Sequence, residues 1–209
     1  NAEGPQYLVI EDRFPNGRPQ LEKAGVYMTD RDTVNKVERM KVTTCLNPLH
    51  TALAVYGCIL GYNLIADEMK DKELSELVRR IGLVEGMPVV TDPGIISPEK
   101  FADEVLHVRI PNPFMPDTPQ RIVTDTSQKL PIRFGETIKS YIASDSLDVQ
   151  SLTLIPLVLA GLKHTLKKRE VQNHLRQYRL QLPDGAGIFL ALMTMEKALN
   201  CQQTLWQKN

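Results

Sequence analysis

A lysine, an asparagine and a histidine fall within ten residues in KVTTCLNPLH, residues 41 to 50, directly ahead of a long apolar run. These side chains suit proton transfer at an oxygen atom. A lysine serves as a base near neutral pH when burial or a neighbouring cation lowers its pKa from the free value of about 10.4, and Lys41 stands just upstream of the most apolar stretch of the chain. Glu38, three residues earlier, shares a face with Lys41 if the segment is helical, where it could pass protons to solvent. The plainer reading is a solvated surface pair.

Asn47 followed by Pro48 marks a helix start, because asparagine is a preferred N-cap and proline a preferred first helical residue; a kinked longer helix is the other reading. In an unbroken helix Lys41 and His50 would face opposite ways, turned about 180° at roughly 100° per residue. A shared site therefore requires a break or a π-bulge between Thr43 and Asn47, and such bulges are frequent at functional sites. Further along, Arg121 and Lys129 flank RIVTDTSQK. Two cations converging there could hold a carboxylate, arginine as a two-point fork and lysine as a point charge. His107, His164 and His174 show no metal-ligand spacing.

The elements that must position these groups are mostly helices. QYLVIEDRF (6 to 14) and GVYMT (25 to 29) read as short strands separated by the turn-rich FPNGRPQ. Asp30 or Asp32 caps a helix running to Met40. From His50 onward the apolar residues are dense all round, which describes a central buried helix. Lys72 to Val84 is amphipathic, with Leu74, Leu77, Val78 and Ile81 on its apolar face. Ser97-Pro98 opens a helix reaching about His107. IPNPFMPDTPQ, with four prolines (Pro111, Pro113, Pro116 and Pro119), predicts an extended loop, and loops of that length are more often functional than idle. Helices are expected around Arg133 to Ala143, from Leu152 to Arg169 and from Gly187 to Leu199, six or seven in all, with little strand.

Composition narrows the function classes. The 209 residues balance 25 Lys and Arg against 25 Asp and Glu, without a basic run interleaved with aromatics, which argues against a nucleic-acid partner. Apolar stretches such as 52 to 66 fall short of the roughly 20 residues that span a bilayer, so no membrane partner is expected. Cys45, Cys58 and Cys201 are scattered and odd in number, which suits reduced thiols in a cytoplasmic setting. No secretory leader is expected, and Asn1-Ala2 reads as a remnant of cloning.

Three blocks, VIEDRFPNGRPQLEKAG (9 to 25), ERMKVTTCLNPLH (38 to 50) and DTSQKLPIR (125 to 133), together resemble the polyol-specific long-chain dehydrogenase/reductase family, which includes mannitol 2-dehydrogenase, fructuronate reductase and tagaturonate reductase. Their order and spacing resemble its C-terminal domain over nearly the whole chain. The resemblance implies a mainly α, multi-helical fold of the 6-phosphogluconate dehydrogenase C-terminal kind over residues 3–209, with minor short strands near the N-terminus. It also implies oxidoreductase activity with NAD or NADP and no metal, on a sugar acid or polyol. Fructuronate and mannonate are the leading pair; mannitol 2-dehydrogenase and tagaturonate reductase are the alternatives within the family, and a non-catalytic helical interaction domain is the alternative outside it. By resemblance Lys41 is the general acid/base, Asn47 polarises the carbonyl oxygen, His50 holds a substrate hydroxyl, Glu38 exchanges protons with water, and Arg121 and Lys129 bind substrate.

Two departures stand out. Five residues separate Lys41 from Asn47 where the family has four, and NPLH replaces NGSH or NASH. No GxGxxG is present; DGAGIF (184 to 189) lacks the third glycine and the preceding strand. The N-terminal Rossmann domain is therefore expected to be a partner outside this chain, and the fragment alone is expected to be inactive.

Overall fold

Around a helix buried along most of its length, every other element finds its place. The computed structural model describes residues 8–165. Two short parallel strands, β1 (Val9–Glu11) and β2 (Tyr27–Thr29), pair Val9 with Tyr27 and Glu11 with Thr29. The connection between them is held by Arg18, whose guanidinium donates to both carboxylate oxygens of Asp12 at 2.7 Å and to Glu22 at 2.6 Å.

Asp30 then caps α1 (Arg31–Met40), its carboxylate accepting from the Thr33 amide at 2.8 Å and the Thr33 hydroxyl at 2.9 Å. This satisfies one of the otherwise orphaned first-turn amides. After Met40 the chain does not continue as an α-helix. Residues Lys41–Cys45 form a π-helical turn, in which the Leu46 amide donates to the Lys41 carbonyl five residues back at 3.1 Å. Leu46 leaves helical geometry (φ −134°, ψ −62°), and α2 (Asn47–Leu60) starts anew with Pro48 in its first turn. The break required by the phase of Lys41 and His50 thus falls at residues 41 to 46.

Leu49, Ala52, Leu53, Ala54 and Val55 of α2 are fully buried, as the apolar density predicts. The single turn α3 (Ile65–Glu68) and α4 (Lys72–Arg80) pack against α2. Leu74 and Val78 face inward, and the chain past Arg80 widens into a π-helical turn, Ile81–Gly86, rather than running on as α-helix toward Val84. Ser97 caps α5 (Pro98–Glu104), accepting from the Lys100 amide at 3.3 Å, and another π turn follows, Val105–Arg109.

The proline-rich loop ends two residues early: Pro119 opens α6 (Pro119–Val123), where its missing amide hydrogen is no loss. α7 (Thr126–Leu130), a π turn Pro131–Gly135, α8 (Glu136–Ile142) and α9 (Leu154–Thr165) complete the described residues. These make nine α-helices among the described residues, more than expected from periodicity, because single turns such as α3 carry no repeat to read. The predicted helix from Gly187 to Leu199 lies outside the described residues, as do Cys201, His174 and DGAGIF.

Two interactions lock the core. Glu85, only 5% exposed, turns its carboxylate onto the start of α9, accepting from the amides of Thr153 (2.8 Å), Leu154 (2.7 Å) and Ile155 (2.8 Å). Anions are favoured at a helix N-terminus because the free amides converge there. At the other end of α2, Gly57 lets α3 and α6 approach its backbone. A Cβ there would lie 2.6 Å from the Glu68 carboxyl carbon and 2.8 Å from the Pro119 ring. Alanine is the better helix former by roughly 0.5–1 kcal/mol, but overpacking against a rigid proline ring outweighs that by typically 1–3 kcal/mol. Gly57→Ala is expected to lower the urea midpoint, and an unchanged midpoint would contradict the close approach.

Candidate active site

The restarted helix α2 gives its first turn to solvent on one side only, and there Asn47 and His50 project. Opposite them stand the short elements after the proline loop. Thr118 caps α6 through its hydroxyl, which accepts from the Arg121 amide at 3.3 Å. Gln120 ties α6 to the end of α2 by donating to the Tyr62 carbonyl at 2.9 Å. Between α6 and α7 the chain reverses at Asp125, whose φ of 56° puts it in the left-handed region, one that aspartate tolerates better than most residues. That reversal returns Lys129 toward α6, where its ammonium donates to the Thr124 carbonyl at 2.6 Å.

A cleft of about 240 Å³ results, with Asn47 and His50 on one side and Arg121, Ile122 and Lys129 on the other. Arg109, Asp117 and Arg133 complete its lining. Four of the six residues singled out in the sequence therefore meet in one cleft. Lys41 and Glu38 are not among its lining. The Lys41 side chain is 16% exposed, its ammonium 4.0 Å from the carboxylate of Glu38, which is 66% exposed.

The electrostatics of the cleft are uneven. Arg121 is paired with Asp117. The Asp117 carboxylate also lies 4.0 Å from Nε2 of His50, outside hydrogen-bonding distance. Burial pushes His50 down to about 4; Asp117 pulls the other way, and Arg109, Arg133 and Arg121 push further down. At neutral pH His50 is uncharged. Arg133 reaches the cleft from the π turn after α7 and donates to the Thr51 hydroxyl at 2.6 Å, and Thr51 in turn donates to the Asn47 carbonyl at 2.9 Å.

Arg109, Asp117 and Arg133 were not singled out in the sequence. The spacing held a signal for two of them: Asp117 precedes Arg121 by one helical turn, as Lys129 precedes Arg133. Arg109 carried no such signal. His107 is exposed beside Asp103. Among the described residues no group of three or more His, Cys, Asp or Glu is placed to hold a metal, and no helix is long and apolar enough to cross a membrane.

The domain is mainly helical and presents a cationic, hydrogen-bonding cleft at the first turn of its central helix. A family model of the mannitol dehydrogenase C-terminal domain matches residues 33–176, and the chain belongs to that family. It is 66% identical over 163 residues to the D-mannonate oxidoreductase of Thermotoga maritima, covering 77% of this chain and 30% of that protein. It is 34% identical to the polyol:NADP oxidoreductase of Gluconobacter oxydans, over 66% of this chain and 28% of that protein. Among solved structures it is similar to a D-sorbitol dehydrogenase in substrate-free form (TM-score 0.68, 31% identity, 76% of this chain and 31% of the other). It is also similar to the mannitol 2-dehydrogenase of Pseudomonas fluorescens in a ternary complex with NAD and D-mannitol (TM-score 0.63, 30% identity, 75% and 30%). The chain thus spans about 30% of the length of the relatives it matches most extensively. The mainly α fold expected from the sequence is the fold observed.

Proposed function

We propose that this chain is the substrate-binding and catalytic domain of a nicotinamide-dependent oxidoreductase that interconverts a keto-sugar acid and its alcohol, with fructuronate and mannonate as the pair. The observation that carries this is the charge of the cleft: four cationic side chains, Arg109, Arg121, Lys129 and Arg133, surround one carboxylate, Asp117, while His50 is neutral. Such a cleft favours an anion over a neutral polyol. The similarity to a D-mannonate oxidoreductase supports the same substrate class.

At about 240 Å³ the cleft falls below the ~300–1,000 Å³ typical of sites for drug-sized ligands. It has room for a six-carbon acid and none for a dinucleotide. The nucleotide is therefore assigned to an N-terminal domain of the longer protein, with NAD or NADP as hydride carrier. Both names occur among the relatives, NAD with the Pseudomonas enzyme and NADP with the Gluconobacter one.

This chain's own residues handle the proton and the carbon chain. Oxidising a secondary alcohol requires a proton to leave its oxygen as hydride leaves its carbon, and the reverse reaction requires the proton back, so one lysine, Lys41, serves both directions. The Asn47 amide donates to that oxygen and stabilises charge building on it. Neutral His50 holds a neighbouring hydroxyl, and Glu38, mostly exposed and 4.0 Å from the Lys41 ammonium, exchanges the proton with water. We place the protein in the cytoplasm, where its thiols stay reduced: Cys45 and Cys58 are free, and burial pushes Cys45 up to about 12, Glu99 adding to it.

The test is a comparison of kcat/KM for hexonates and hexitols with the full-length protein, each with NAD and NADP. Mannonate is expected to exceed mannitol. Faster oxidation of mannitol would end the acid-sugar reading.

A further inference from the structure

The cations of the cleft are not equivalent. Arg121 is already neutralised by Asp117, and the Lys129 ammonium is spent on a backbone carbonyl. Arg133 differs from both. Like Lys129 it is half-buried and has no carboxylate partner among the described residues, but its hydrogen bond is to a side chain of α2 and its charge is disfavoured by burial alone. Its anchor is the Thr51 hydroxyl at 2.6 Å, which is itself fixed to the Asn47 carbonyl. Thr51 is fully buried. The guanidinium is thereby held against the same turn of α2 that carries Asn47 and His50, with donors left over. A half-buried cation lacking a counter-ion is destabilising until an anion arrives, and a guanidinium offers that anion a two-point fork.

We propose that Arg133, oriented by Thr51, receives the substrate's carboxylate and sets the preference for a sugar acid over the corresponding polyol. The proposal rests on the acid-sugar reading given above. It divides the labour of the cleft: Arg121, balanced by Asp117, meets hydroxyl groups, whereas Arg133 meets the charged end of the carbon chain.

The test uses the full-length protein and steady-state kinetics on mannonate and mannitol. Arg133→Gln is expected to lower kcat/KM for mannonate by roughly 10- to 100-fold, the range for losing a hydrogen bond to a charged group, chiefly through KM, and to lower mannitol oxidation by a much smaller factor. Arg133→Lys keeps the charge but not the fork, and is expected to show an intermediate loss on mannonate that exceeds any loss on mannitol; it carries the test if the glutamine variant does not fold. Thr51→Val is expected to raise KM for mannonate in the same direction. Equal losses on both substrates in folded variants, or no loss on mannonate, would overturn the assignment of Arg133 while leaving the acid-sugar reading in place. A wild-type enzyme that prefers mannitol would overturn both.

Discussion

Lys41→Ala in the full-length protein is expected to lower kcat by roughly 10²–10⁴-fold, the contribution typical of a positioned general acid or base, while the melting temperature stays within the scatter of surface substitutions. The two effects separate because of where the lysine sits. Its ammonium has an exposed carboxylate, Glu38, 4.0 Å away as its only ion-pair partner among the described residues, and such pairs contribute little to stability. The π turn changes the phase along this segment. A residue inserted as a π-bulge leaves the helix beyond it rotated by one position, about 100°, so Lys41 and His50 no longer face opposite ways. Single-turnover rates at saturating mannonate report the proton-transfer step directly. Wild-type activity in Lys41→Ala would favour a helical domain with a non-catalytic polar cap.

A second large effect lies behind the cleft. Glu68 is fully buried, packs against Gly57, and neither carboxyl oxygen has a hydrogen-bond partner among the described residues. Burial pushes it up from 4.5 to about 8. An acid whose folded pKa is raised stays protonated in the native state while the unfolded chain ionises. Stability is therefore full below about pH 4.5 and falls by roughly 1.4 kcal/mol per pH unit until about pH 8. Beside it, Asp67 of α3 is hydrogen-bonded to Lys70 and Asp71, the cap of α4, to Tyr62; Asp71 is held below the usual carboxylate range, first by the Leu74 amide and then by Tyr62. Asp71 does not share the upward shift. Glu68→Gln, neutral throughout, is expected to flatten the slope and to exceed the wild type by several kcal/mol at pH 8, measured by urea unfolding at a series of pH values. Parallel pH profiles for the two proteins would place the Glu68 carboxylate in contact with water.

Local chemistry carried much of the architecture. Asp30 and Ser97 announce their helices because a side-chain oxygen beside free amides is a short-range feature, and the dense apolar residues after His50 describe a helix buried on all sides whatever surrounds it. Even the break ahead of Asn47 was legible, since two polar groups nine residues apart cannot share a face of a regular helix. The ERMKVTTCLNPLH block carried the family resemblance for the same reason: its residues act from one short stretch of backbone.

Other features depend on groups that no local spacing relates. Glu85 caps α9 across 68 residues, and nothing near it in the sequence marks it as a cap. Arg133 meets Thr51 across 82 residues, and Arg109 enters the cleft from a third element. The sequence by itself determined the longer helices, the local caps at Asp30 and Ser97, the condition that a shared site places a break ahead of Asn47, and the family resemblance. Which cations converge, which of them is anchored to the central helix without a carboxylate beside it, and which carboxyl is sealed from water were decided only by the tertiary structure, because burial and charge balance are properties of packed neighbours brought together from distant parts of the chain.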